Sequence, residues 1–159
     1  MQPSFVIDRL ASGGGRRPSP LRPGRAVWLE GVDLDAPVLI VEDEVLIAWT
    51  LHDILGGMGF GDVRMARDGA EAQALAGERA PGLLICDVNL GPGDDGVATA
   101  ARILARGRVP VLFITGYAGD EIRARIEAEI PGAPLLRKPI ESGPLARSLR
   151  EAFNNPTLN

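Results

Sequence analysis

Five short apolar runs, each ending at a polar residue and each followed by helical periodicity, constrain this chain more than any other feature. Val38-Leu39-Ile40-Val41 runs into the acidic triplet Glu42-Asp43-Glu44, Leu83-Leu84-Ile85-Cys86 into Asp87, and Val111-Leu112-Phe113-Ile114 into Thr115. Val63 to Ala66 is a weaker run, and Leu135-Leu136 is the shortest, with Lys138 just beyond it. Runs of this length without polar alternation suit strands covered on both faces. Between them, Leu46, Ile47, Leu51, Ile54 and Leu55 recur at helical spacing, which predicts a helix that Gly56-Gly57 stops. Further helices are predicted over 70–78, 97–105, 120–128 and 141–153. Strands and helices that alternate in this way predict an α/β domain, a doubly wound five-stranded parallel sheet.

The regular pattern begins at Pro37. Residues 1–36 are read as an N-terminal extension or linker, because Ser12 to Arg25 is too dense in Gly, Pro, Ser and Arg to offset the entropy of ordering. Phe5-Val6-Ile7 and Ala26-Val27-Trp28-Leu29 could each dock as a short extended piece. Gly13-Gly14-Gly15 lacks the preceding strand and the Gly-Lys-Ser/Thr ending of a phosphate loop. Residues 37–153 form the expected domain and 154–159 a polar tail. A net charge of −4 gives no broad electrostatic grip on nucleic acid, and no apolar run approaches a membrane span. The single cysteine, Cys86, lies in an apolar run and is read as a buried strand thiol, in keeping with residence in the cytoplasm.

In doubly wound sheets ligands bind beyond the carboxyl ends of the strands. Those ends carry Glu42, Asp43, Asp87, Thr115 and Lys138, and Lys138 is the one lysine among 17 basic residues. Two carboxylates about 4 Å apart repel by roughly 4 kcal/mol at an effective dielectric near 20, so three together call for protonation or a cation. All-oxygen ligands favour a hard ion, and a few carboxylates completed by water suit Mg²⁺. Thr115 can donate to a phosphate oxygen, and Lys138 offers a point charge that reaches one oxyanion in a tight pocket. The set reads as a phosphoryl-transfer site, with Asp87 as a carboxylate nucleophile that forms an aspartyl phosphate.

Val-Glu-Asp-Glu at 41 to 44, Cys-Asp-Val-Asn-Leu at 86 to 90, Ile-Thr-Gly at 114 to 116 and Lys-Pro at 138 and 139 together resemble the response-regulator receiver domain of two-component signalling. The resemblance covers about residues 37–153 and implies a flavodoxin-like receiver fold. It also implies that Asp87 accepts a phosphoryl group from a histidine kinase or histidine phosphotransfer protein and signals to a downstream protein. Asp43, Asp87 and the backbone carbonyl of Asn89 would bind Mg²⁺, with Glu42 acting through water. Thr115 and Lys138 would contact the phosphoryl oxygens, and the Lys138–Pro139 peptide would be cis. Such a receiver phosphorylates and dephosphorylates itself and is not a conventional enzyme. Receivers usually carry Tyr or Phe three residues before this lysine, where this chain has Leu135. Phe113-Ile114-Thr115-Gly116-Tyr117 instead resembles the FAT GUY subgroup of receivers, although Tyr follows Gly116 directly and Ile114 replaces a small residue.

Other readings compete. A metal-dependent phosphatase of the haloacid dehalogenase type needs an acid two residues after its nucleophile, where this chain has Asn89, which cannot titrate. A pseudo-receiver would lack the acceptor or the lysine, and both are present. Asp95 and Gly96 are read as shaping the start of the third helix, Glu44 as the start of the first, and His52 as a packing or surface histidine. Tyr117 is weighed equally as a switch and as a packed ring. With little chain after Phe153, a stand-alone receiver that makes phosphate-dependent contacts, or acts as a phosphate sink or shuttle, is expected. The alternative is a receiver derived from a hybrid kinase.

Overall fold

The structure is a computed structural model that describes residues 29–155. The pieces expected at Phe5-Val6-Ile7 and Ala26-Val27-Trp28, the Ser12–Arg25 stretch and residues 156–159 lie outside the described residues. Five strands, β1 (Val38–Val41), β2 (Val63–Ala66), β3 (Leu83–Asp87), β4 (Val111–Thr115) and β5 (Leu135–Arg137), pair in parallel in the order β2-β1-β3-β4-β5. They alternate with helices α1 (Val45–Met58), α2 (Gly69–Glu78), α3 (Gly96–Leu104), α4 (Asp120–Glu129) and α5 (Ser142–Phe153). The order reverses beside β1, so the β1 and β3 ends flank the crevice where such sheets bind ligands.

Alternate residues of each central strand feed two separate cores. Val38, Ile40, Leu83, Ile85, Leu112 and Ile114 meet Leu51 and Leu55 of α1 and Leu145 and Leu149 of α5. Leu39, Val41, Leu84, Cys86, Val111 and Phe113 meet the smaller residues of α2 and α3 and Ile126 of α4 on the opposite face. This two-sided burial is why the strands read as unbroken apolar runs.

Several boundaries differ from the sequence expectation, most of the predicted helix ends by a single residue. Helix α1 does not stop at Gly56-Gly57; it continues to Met58 and ends at Gly59, whose φ of 110° turns the chain so that the Phe60 N–H donates to the Leu55 carbonyl (3.1 Å). Two interior glycines weaken a helix, but Leu51 and Leu55 anchor it to the sheet and Phe60 is buried directly after the turn. Strands β3 and β4 run one residue further than the apolar runs, so Asp87 and Thr115 are still held by the ladder. Ahead of Pro37, Leu29, Val32 and Leu34 already pack into the core on the α1 and α5 side.

Candidate functional site

Asp87 closes β3 with 3% of its surface exposed, and Glu42 follows β1 with 2% exposed. Strand pairing forces them together, because Val41 lies opposite Cys86 in the parallel ladder. Asp43, exposed, completes a cluster in which one carboxylate oxygen from each of Glu42, Asp43 and Asp87 lies within 4.8 Å of the others. Lys138 arrives from β5, where its N–H donates to the Thr115 carbonyl (2.8 Å) and the Lys138–Pro139 peptide is cis. Its Nζ stands 2.8 Å from Asp87 Oδ2, 3.0 Å from Glu42 Oε2 and 3.4 Å from Glu44 Oε1.

One ammonium faces more negative charge than it can neutralise. Burial pushes the Glu42 carboxyl up to about 7, against the pull of the Glu44 N–H and the Lys138 ammonium. Burial also works against a charged Lys138, but the Asp87 and Glu42 carboxylates outweigh it and hold the ammonium well above the ordinary lysine range. Glu44 does not cap α1 with its side chain, so its carboxylate is left to meet Lys138, a partnership the sequence reading missed. The donor set is all oxygen and short of positive charge, and therefore fits a hard divalent cation.

The loop after β3 is tied down at several points. Asn89 N–H donates to Asp87 Oδ1 (3.0 Å), and Asn89 bridges back to Asp95. Gly96 N–H donates to the Val88 carbonyl (3.0 Å), and a Cβ at Gly96 would stand 1.7 Å from the Asp87 carbonyl oxygen, so only glycine fits there. Asp95 caps α3 as expected, accepting from Val97 N–H (2.9 Å) and Ala98 N–H (3.3 Å). Asp94 Oδ2 accepts from Gly69 N–H at the start of α2 (2.7 Å), a contact with no local sequence signal.

Thr115 ends β4 at the same rim, but its hydroxyl donates to the Tyr117 carbonyl (2.9 Å) and accepts from the Tyr117 N–H (3.2 Å). Tyr117 is 73% exposed, with its ring against Gly119. His52 lies away from the cluster, edge-on to Trp49. Cys86 is fully buried, and burial pushes its thiol far above the ordinary range, so it supplies no thiolate.

Residues 38–150 match the family model described as the response regulator receiver domain. The chain is similar to the phyllosphere-induced regulator PhyR of Methylorubrum extorquens, 38% identical over 86 residues, which are 54% of this chain and 32% of that protein. It is also similar to the transcriptional regulatory protein PdtaR of Mycobacterium tuberculosis, 36% identical over 88 residues, 55% of this chain and 42% of that one. Among solved structures, the receiver domain of the Erythrobacter litoralis PhyR response regulator superposes with a TM-score of 0.65 at 30% identity, covering 77% of this chain and 95% of that chain. The signal receiver domain of a modulated diguanylate cyclase from Desulfovibrio desulfuricans does so with a TM-score of 0.67 at 34% identity, covering 75% and 94%. The chain thus spans about a third to two fifths of the length of these two curated relatives.

Proposed function

Because the chain belongs to the response regulator receiver family, we propose that Asp87 accepts a phosphoryl group from a histidine kinase or histidine phosphotransfer protein in the cytoplasm, and that the phosphorylated form signals through protein contacts. The observation that carries this reading is the Lys138 ammonium 2.8 Å from Asp87 Oδ2 within a cluster of three carboxylates. A carboxylate oxygen of Asp87 forms the new O–P bond as the P–N bond of the donor phosphohistidine breaks and its imidazole leaves. Glu42, Asp43, Asp87 and the Asn89 carbonyl are the residues that would hold Mg²⁺, which would offset charge between the carboxylates and the phosphoryl oxygens. Lys138 stays beside the acceptor and faces the added negative charge.

Read-out follows from what Thr115 must give up. To reach a phosphoryl oxygen its hydroxyl leaves the Tyr117 backbone, which frees the loop 115–119 ahead of α4. With Leu135 in place of an aromatic on β5, this loop and its exposed Tyr117 transmit the change, in keeping with the FAT GUY resemblance. Acetyl phosphate with Mg²⁺ should add one phosphoryl mass to the protein and none to Asp87→Asn; an undiminished adduct in the variant would overturn the assignment. The chain serves as a stand-alone regulator. Its curated relatives are longer, which favours as a second reading a receiver module of a larger protein such as a hybrid kinase. The size of the native protein in cell extract separates the two.

A further inference from the structure

The two oxygens of Asp95 do different work. Oδ1 takes the N–H groups of Val97 and Ala98 and so fixes the start of α3, while Oδ2 pairs with Nη2 of Arg125 in the middle of α4. Arg125 is aimed by its own helix, since its Nε donates to Glu129 Oε1 at 2.9 Å. Partial burial works upward on the Asp95 carboxyl, but Arg125 and the α3 N–H groups outweigh it and hold it below the ordinary carboxylate range, so the pair is ionised at neutral pH. Asp95 also bridges to Asn89, the residue two after Asp87. A continuous path of contacts therefore runs from α4 through Arg125 and Asp95 to the segment beside the acidic cluster.

We propose that Arg125 is a positioning residue for the cation site, holding the Asn89–Asp95 segment in place through Asp95 and thereby linking the position of α4 to cation affinity. The inference rests on the reading of Glu42, Asp43, Asp87 and Asn89 as that site. Both partners are partly exposed, 42% for Arg125 and 38% for Asp95, and pairs of that kind add little to global stability. The effect is expected on the site and not on folding. Linkage works in both directions: a cation that fixes the loop fixes α4, and a displacement of α4 loosens the loop.

The test is a Mg²⁺ titration of the full chain, followed by amide NMR, for wild type, Arg125→Met, Asp95→Asn and the double variant. Asn caps a helix about as well as Asp, so Asp95→Asn removes the ion pair and keeps the α3 start. Each single variant should bind Mg²⁺ about threefold to tenfold more weakly, and the double variant no more weakly than either, the mark of one shared interaction. Thermal midpoints should stay close to wild type, and Arg125→Lys should recover most of the affinity. The Mg²⁺ concentration for half-maximal acetyl phosphate labelling should rise by the same factor with the saturating rate unchanged. In wild type, Mg²⁺ should also shift α4 amides near Arg125, and in Asp95→Asn it should not. Wild-type affinity in the single variants, or a double variant weakened by the product of the two factors, overturns the proposal alone. If the wild-type amides around Asp87 and Asn89 do not respond to Mg²⁺, the reading of the cation site fails and this inference falls with it.

Discussion

At residue scale the site is a problem of charge. Glu42 and Asp87 are nearly out of solvent, and Lys138 is the one cation among the described residues within ion-pair distance of either. An unfolded glutamate titrates near 4.5, and in the fold Glu42 is pushed up to about 7 by burial. Between those values the folded protein holds more protons than the unfolded chain, so stability falls as pH rises. The loss attributable to this one carboxyl is on the order of 3 kcal/mol and is complete above the folded value. Urea unfolding in a chelator should show a lower midpoint at about pH 8 than at about pH 5, and Glu42→Gln should flatten that difference. A wild-type slope that survives in Glu42→Gln would place the proton elsewhere. Mg²⁺ should raise the midpoint more at the higher pH, where the Glu42 carboxyl has lost its proton.

At the scale of elements, α1 carries both a weakness and an unpartnered face. Added Cβ atoms at Gly56 and Gly57 would meet nothing within 4 Å, so alanine at either position should stabilise the protein by about 0.5–1 kcal/mol. Alanine at Gly59 must adopt φ near 110° and press on Leu34 Cδ1 at 3.3 Å, and should instead cost about 1–2 kcal/mol. Urea midpoints of the three variants check both signs. The outer face of the same helix leaves Val45, Leu46 and Trp49 exposed, Leu46 by 82%. Beside it Ile47 and Thr50 line a groove with Lys138, Pro139 and Ile140. On the proposed function, a protein donor that reaches Asp87 would meet this apolar surface beside Lys138. Leu46→Asp should therefore slow phosphotransfer from a cognate protein donor by about tenfold, the scale of one buried leucine contact. Labelling by acetyl phosphate, which makes no such contact, should be unchanged; equal slowing of both would point to damage within the site.

For the whole molecule, the fold gathers more chain than its five strand-helix units. Leu29, Val32 and Leu34 are buried against α1 and α5, although the periodic pattern starts only at Pro37. The chain without residues 1–28 serves as the reference for this segment. Removing residues 1–36 should cost on the order of 5 kcal/mol, from loss of three buried apolar side chains. Thermal midpoints of the two truncations measure this, and equal midpoints would show that residues 29–36 rest on the core without supporting it.

Apolar runs flanked by polar ends were enough to specify the parallel sheet, because burial on both faces removes the alternation that a half-exposed strand would show. Asp87, Thr115 and Lys138 were legible for the same reason, as polar residues stationed where apolar runs stop. Gly56-Gly57 misled, since local propensity is weaker than the packing of Leu51 and Leu55 that carries α1 past them. Leu29, Val32 and Leu34 have no period that marks them as core, and only their packing into the cluster on the α1 and α5 side of the sheet assigns them there. The contacts of Glu44 with Lys138, Asp94 with Gly69 and Asp95 with Arg125 join residues 94, 25 and 30 positions apart. No local pattern encodes such pairs; they exist because the β1, β3 and β5 ends and the starts of α1, α2 and α3 converge on one rim, and because α4 packs beside α3. The sequence determined which groups reach that rim, and the tertiary structure decided which of them meet.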